Sequence, residues 1–169
     1  SLSILDFCTI YEGETAAQSM ARSVELAQQA EKLGFTRMWY TEHHNMSTIS
    51  SSSPAVLIAH IGAKTEKIRL GSGGVMLPNH APYVIAEQFG TLAELYPNRI
   101  DLGLGRAPGT DMQTLGRALR RDGHAAERLP EDIKELQGYL SGKSLVPGVQ
   151  AVPGAGTNVP LYILGSSMF

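Results

Sequence analysis

Strand-like and helix-like stretches alternate along this chain, and no other feature limits its fold so tightly. Leu2 to Ile10 is a short apolar segment of strand type. A capping box of Thr15 and Gln18 opens a helix that carries Met20, Val24, Ala27, Ala30 and Leu33 at helical spacing, with Gly34 as its C-cap. Phe35 to Tyr40 is aromatic-rich and too short for a helix, so it reads as the second strand. Ser53 and Pro54 form an N-cap and first-turn pair ahead of Leu57, Ile58 and Ile61. Lys67 to Leu70 is a third strand running into glycines. Pro82 opens a third helix with Ile85, Phe89, Leu92 and Leu95 on one face, and Arg99 to Leu104 is a fourth strand, again followed by glycines. Asp111 to Arg121 looks helical, with Arg117, Arg120 and Arg121 on a solvated side. Pro130 begins another helix, with Glu131 and Asp132 in its first turn and Gly142 as its stop. Val146 to Asn158, rich in Pro and Gly, reads as a surface loop or hairpin. Pro160 to Leu164 is a fifth strand.

Such alternation gives a parallel sheet, either doubly wound or closed as a (β/α)8 TIM barrel. Five strands in 169 residues suit the doubly wound fold for a whole chain. A barrel takes about 250 residues, so the barrel reading requires truncation. The sequence stops at Ser167-Met168-Phe169, directly after a strand and before any covering helix, which favours a truncated barrel. Residues 1–169 are expected to form one domain.

Composition excludes several classes of function. Fourteen basic and 16 acidic residues give a net charge of −2, which offers no footprint for nucleic acid or an anionic membrane. The best apolar run, Ala55 to Ala63, is too short to span a bilayer and is interrupted by His60. The first residues show no signal-peptide pattern, and the single Cys8 forms no internal disulfide; both fit a cytoplasmic protein.

In either α/β architecture, ligands bind at the carboxyl ends of the strands. Thr41-Glu42-His43-His44 follows the second strand, Gly71-Ser72-Gly73-Gly74 the third, Gly103-Leu104-Gly105-Arg106 the fourth and Gly165-Ser166-Ser167 the fifth. The opposite ends, Thr36-Arg37, Thr65-Glu66 and Pro97-Asn98-Arg99, are plain connectors. Titratable groups, bare backbone, a cation and hydroxyls therefore gather on one rim. Alternation along a strand lets only one of His43 and His44 face the centre. No metal site is expected, because neither an H-E-x-x-H pair nor a thiolate cluster is present. The glycines lack the Lys-Ser/Thr of a phosphate-binding P-loop. Gly103-x-Gly105-x-x-x-Gly109 is a poor dinucleotide fingerprint, since it sits on strand four with Pro108 where a helix should open. Arg106 is either a phosphate ligand or a surface arginine. Ser50 to Ser53 reads as a mobile rim loop plus a helix cap. His80 lies just beyond the strand-three rim, and Glu87 one turn into the next helix.

Taken in order, Trp39-Tyr40-Thr41-Glu42-His43-His44-Asn45-Met46, Gly71 to His80, Ala86 to Leu92 and Arg99 to Gly109 resemble the bacterial-luciferase-like, flavin-dependent monooxygenases, as does Val152 to Gly156. The resemblance implies a (β/α)8 barrel about twice this length, of which this chain is the first five strands. It implies that His43 is the catalytic histidine, flanked by Glu42 and His44, and that Gly73-Gly74 is a cis peptide against which the flavin ring rests. It also implies that Arg106 and Ser167 contact the FMN phosphate and that Glu87 lies near the flavin. The implied reaction uses reduced FMN, supplied by a flavin reductase, and O2 to oxidise a small organic, aldehyde-type substrate, in a homodimer. A non-catalytic flavin-binding protein and an F420-dependent hydride transferase are the alternatives.

Overall fold

The structure, a computed structural model, describes residues 1–165. Five strands, β1 (Ser3–Asp6), β2 (Arg37–Tyr40), β3 (Arg69–Met76), β4 (Ile100–Gly105) and β5 (Leu161–Ile163), alternate with four helices, α1 (Ala16–Lys32), α2 (Pro54–Gly62), α3 (Pro82–Leu95) and α4 (Leu129–Ser141). All neighbouring strands are parallel and lie in the order β1-β2-β3-β4-β5. A doubly wound sheet reverses its strand order at a switch point. This one does not, so it is a section of a (β/α) barrel wall.

Local chemistry accounts for the element boundaries. Thr15 and Gln18 form the reciprocal capping box of α1, with the Thr15 Oγ1 accepting from the Gln18 N–H at 3.2 Å. Prolines stand in the first turns of α2, α3 and α4, where a missing N–H removes no helical bond. Gly142 ends α4 at φ 78°, a left-handed position that suits glycine.

Three expectations change. Ser53 precedes α2 without a side-chain capping bond, so Pro54 alone marks that start. β3 does not stop at Leu70; it runs on through the glycines to Met76, because parallel pairing to β4 holds backbone that glycine would otherwise leave loose. Residues 111–121 are not a regular helix but contain a single π-helical turn, Thr114–Ala118.

The core lies between sheet and helices, where Met38, Leu70, Leu102 and Leu104 meet Ile58, Ile61, Ile85, Phe89 and Leu136. The 146–158 segment is part of this packing rather than a surface loop. Ala151 and Val159 are buried, and Gly154 backbone sits where a side chain on Gly90 of α3 would stand. Cys8 is buried beside Asp6 and Ser23; desolvation first, with the Asp6 charge adding, pushes its thiol up to about 11. Among the described residues no helix is long and apolar enough to cross a membrane.

The other sheet face would look into a barrel. It carries Leu5, Trp39 and Tyr162, with Leu5 and Tyr162 49% and 41% exposed. At the amino ends of the strands this face holds an ion cluster: the fully buried Asp101 accepts from Arg37 Nε at 2.5 Å and from Arg69 Nε and Nη2 at 2.8 and 2.5 Å. The Arg37 guanidinium also lies 4.9 Å from the Trp39 ring and 5.2 Å from the Tyr162 ring. Nearby, Arg99 binds Thr65 and the Ile68 carbonyl, and the Glu31 carboxylate accepts the N–H groups of Glu66, Lys67 and Ile68. The connectors at this end are thus an ionic and hydrogen-bonded girdle.

Candidate active site

Glu42 organises the carboxyl rim. Just beyond β2 its carboxylate is 1% exposed, and an ionised group so placed requires partners on both oxygens. Oε1 accepts from His44 Nε2 and His80 Nε2, each at 2.8 Å, with Asn79 Nδ2 at 3.5 Å; Oε2 accepts the Met76 N–H at 2.7 Å. Burial alone would raise this carboxyl, but the bonds from His80, His44 and the Met76 amide outweigh it and hold it below the usual range.

Neighbouring loops are laced around that centre. Asn79 donates to the Pro108 carbonyl at 3.0 Å, and Arg121 spans Asn79 Oδ1 and the Arg106 carbonyl. The His44 N–H donates to the Gly109 carbonyl, while Thr110 donates to the His44 carbonyl. Asn45 Nδ2 meets Asp111, which also accepts from Thr114. Arg121 is therefore drawn inward and is not part of a solvated face. The serine patch is equally tied: Ser51 is fully buried at 2.6 Å from Thr41 Oγ1, and Ser50 donates to the Cys8 carbonyl. That departs from the expected mobile loop.

His43 and His44 lie past the end of β2 and take different partners, Thr41 and Glu42. His43 is half-buried, its Nδ1 3.0 Å from Thr41 Oγ1 and its ring centroid 5.6 Å from that of Phe7. Desolvation, then the neighbouring His44, pulls its pKa down, against the opposing Glu42 charge. The shift favours the neutral imidazole, the form that can accept a proton.

The adjacent strand β3 carries a stretch of backbone without side chains. Gly73-Gly74 is cis. A Cβ on Gly73 would stand 2.9 Å from Trp39 Cβ, one on Gly74 2.8 Å from the Gly103 carbonyl, and one on Gly103 would collide with the Ser72 carbonyl. Arg106 leaves the end of β4 with an exposed side chain. Glu87 lies on α3 beside Tyr83, and Thr91 donates to its backbone carbonyl at 2.7 Å. Ser167 lies outside the described residues. Among the described residues no group of three His, Cys, Asp or Glu side chains could hold a metal ion.

Sequence reasoning placed His80 near the rim without a partner and gave Asn79 and Phe7 no role. One signal was available: a carboxylate at the end of a buried strand needs donors, and His80 follows the next strand.

An unreversed parallel wall with a buried carboxylate–histidine cluster at its carboxyl rim is the frame of a (β/α)-barrel protein. The chain belongs to the luciferase-like monooxygenase family, whose model matches residues 2–169. It is 48% identical over 169 residues to a luciferase-like monooxygenase of Escherichia coli (strain K12), a match covering 100% of this chain and 50% of that protein. The crystal structure of apo-MsnO8 superposes with a TM-score of 0.89 at 38% identity, covering 99% of this chain and 50% of that one. The fold alone is shared with the oxygenating constituent of 3,6-diketocamphane monooxygenase from Pseudomonas putida, solved with FMN (TM-score 0.79, 15% identity, 96% of this chain and 51% of that one). It is shared likewise with an F420-dependent secondary alcohol dehydrogenase in complex with an F420-acetone adduct (0.74, 17%, 98% and 52%). The chain spans about half the length of the curated relatives it matches.

Proposed function

We propose that this chain is the flavin-binding part of a monooxygenase that uses reduced FMN and O2 to oxidise a small organic substrate of aldehyde type. The observation that carries this reading is that His43, Gly73-Gly74 and Arg106 lie in or just beyond the carboxyl halves of the adjacent strands β2, β3 and β4.

These groups fit a flavin. A planar ring needs backbone from which no side chain projects, and Gly73 and Gly74 project none. A phosphate needs a fixed cation, and the Arg106 backbone is held through its carbonyl by Arg121. When bound, the flavin would supply the electrons with which O2 is reduced. His43 would hold or move a proton at the oxidant or the substrate carbonyl, its ring steadied by Thr41 and Phe7. Trp39 and Leu5 line the barrel face next to Gly73, where they would help exclude water from a bound ring. His44 supports the Glu42 cluster, and Ser167 would add a hydroxyl to the phosphate site. A separate reductase delivers the reduced flavin, and the working protein is a homodimer in the reducing cytoplasm.

The test is His43→Ala in the intact protein. Turnover with reduced FMN, O2 and a straight-chain aldehyde should fall at least a hundredfold, with FMN affinity nearly unchanged. Loss of FMN binding would make His43 a structural ligand. Binding of F420 with hydride transfer, or of FMN without any O2-dependent oxidation, would replace the reading.

A further inference from the structure

Two imidazoles share one oxygen of one buried carboxylate: His44 Nε2 and His80 Nε2 both lie 2.8 Å from Glu42 Oε1. An ionised carboxylate has no hydrogen to give, so the hydrogen in each contact belongs to the ring. The other oxygen is taken by the Met76 N–H, and Asn79 offers its own N–H at 3.5 Å, so every group around this carboxylate is a donor. We propose that Glu42 is a positioning residue that fixes both His44 and His80 as Nε2–H tautomers, leaving the Nδ1 atom of each ring to take up and release protons.

A neutral imidazole carries one N–H and one lone pair, and naming the N–H names the basic atom. Each ring then gains its charge at Nδ1 while the Nε2–H stays on Glu42. The two rings have a single negative charge between them. The other ionisable groups tied to it are His43 on the same loop, Arg121 through Asn79, and Asp111 through Asn45. The tautomer assignment stands on this geometry alone; its use in moving protons at the rim rests on the flavin reading.

Long-range proton–nitrogen NMR on the intact protein labelled at histidine tests it, with His44→Gln and His80→Gln spectra assigning the two rings. Both should show Nε2–H and a bare Nδ1 wherever they are neutral. In Glu42→Gln the Met76 N–H claims the one carbonyl oxygen and the NH2 group faces both rings, so both should switch to Nδ1–H. Either ring found as Nδ1–H in the wild type overturns the assignment, as does a folded Glu42→Gln protein with either tautomer unchanged. If Glu42→Gln does not fold, the wild-type spectrum alone decides. These readouts need no flavin, so both tautomers in a protein that binds no FMN would retire the proposed function and keep this one.

Discussion

The ring of Trp39 occupies the space that a side chain at Gly71 would need. A Cβ built on Gly71 would stand 2.5 Å from Trp39 Cζ3 and 3.1 Å from the Asp101 carbonyl. The two residues are register partners across β2 and β3, so the bare backbone of one strand receives the indole of the other. Tyr162, edge-on at 5.2 Å, and Arg37 box that indole in.

Gly71→Ala therefore overpacks the inner face. It should cost about 2 kcal/mol, read as a lowered urea midpoint with an unchanged slope. Trp39→Phe in the same background should recover part of the loss, because the two side chains compete for one space. An unchanged midpoint in the single variant would show that the indole swings away freely.

Asp101→Asn leaves Arg37 and Arg69 facing a neutral amide inside the wall. Removing one member of a buried ionic cluster costs about 3 to 5 kcal/mol, and denaturant unfolding measures it. Adding Arg69→Met should soften the effect by removing one uncompensated cation. A loss below about 1 kcal/mol would mean that water reaches the cluster.

The lowered His43 pKa has a defined sign. Between that value and the ordinary one near 6.5, the unfolded chain holds more protons on this residue than the folded protein. Stability from this group is thus complete above the ordinary value and is lost as pH falls through the window. A histidine NMR titration should place the midpoint below 6.5. Phe7→Ala, which opens the ring to water, should move it back up, and a midpoint insensitive to Phe7 would assign the shift to His44 instead.

Asp111 clasps Asn45 and the Thr114 amide, and those bonds hold its carboxyl well below the usual range. Asp111→Ala should speed hydrogen exchange at the Thr114 N–H and at His44, while amides of β3 and β4 keep wild-type rates. Uniformly faster exchange would point to global destabilisation.

Much of this molecule is legible in its sequence because the signals are local. The Thr15–Gln18 box, the first-turn prolines and Gly142 each act within one turn of chain, and each marks a true boundary. The continuation of β3 through Gly71–Gly74 is not legible, since glycine carries no strand preference and only the partner strand orders it. The inward turn of Arg121 and the burial of Ser51 depend on neighbours 42 and 10 residues away. The bond between Glu42 and His80 joins residues 38 apart with no motif spacing, so it is visible only once β2 and β3 lie side by side. The family resemblance named His43, Glu42, His44, Gly73-Gly74 and Arg106, but not the bonds that join Glu42 to His44, His80 and the Met76 amide.

The most direct measurement is an FMN titration of the intact protein, wild type against Arg106→Ala, followed by flavin fluorescence. If one flavin bridges the glycine strip and the guanidinium, the wild type should bind saturably and the variant about tenfold or more weakly, the worth of one charge-assisted contact. FMN bound equally well by both proteins, or by neither, would contradict a flavin site at this rim.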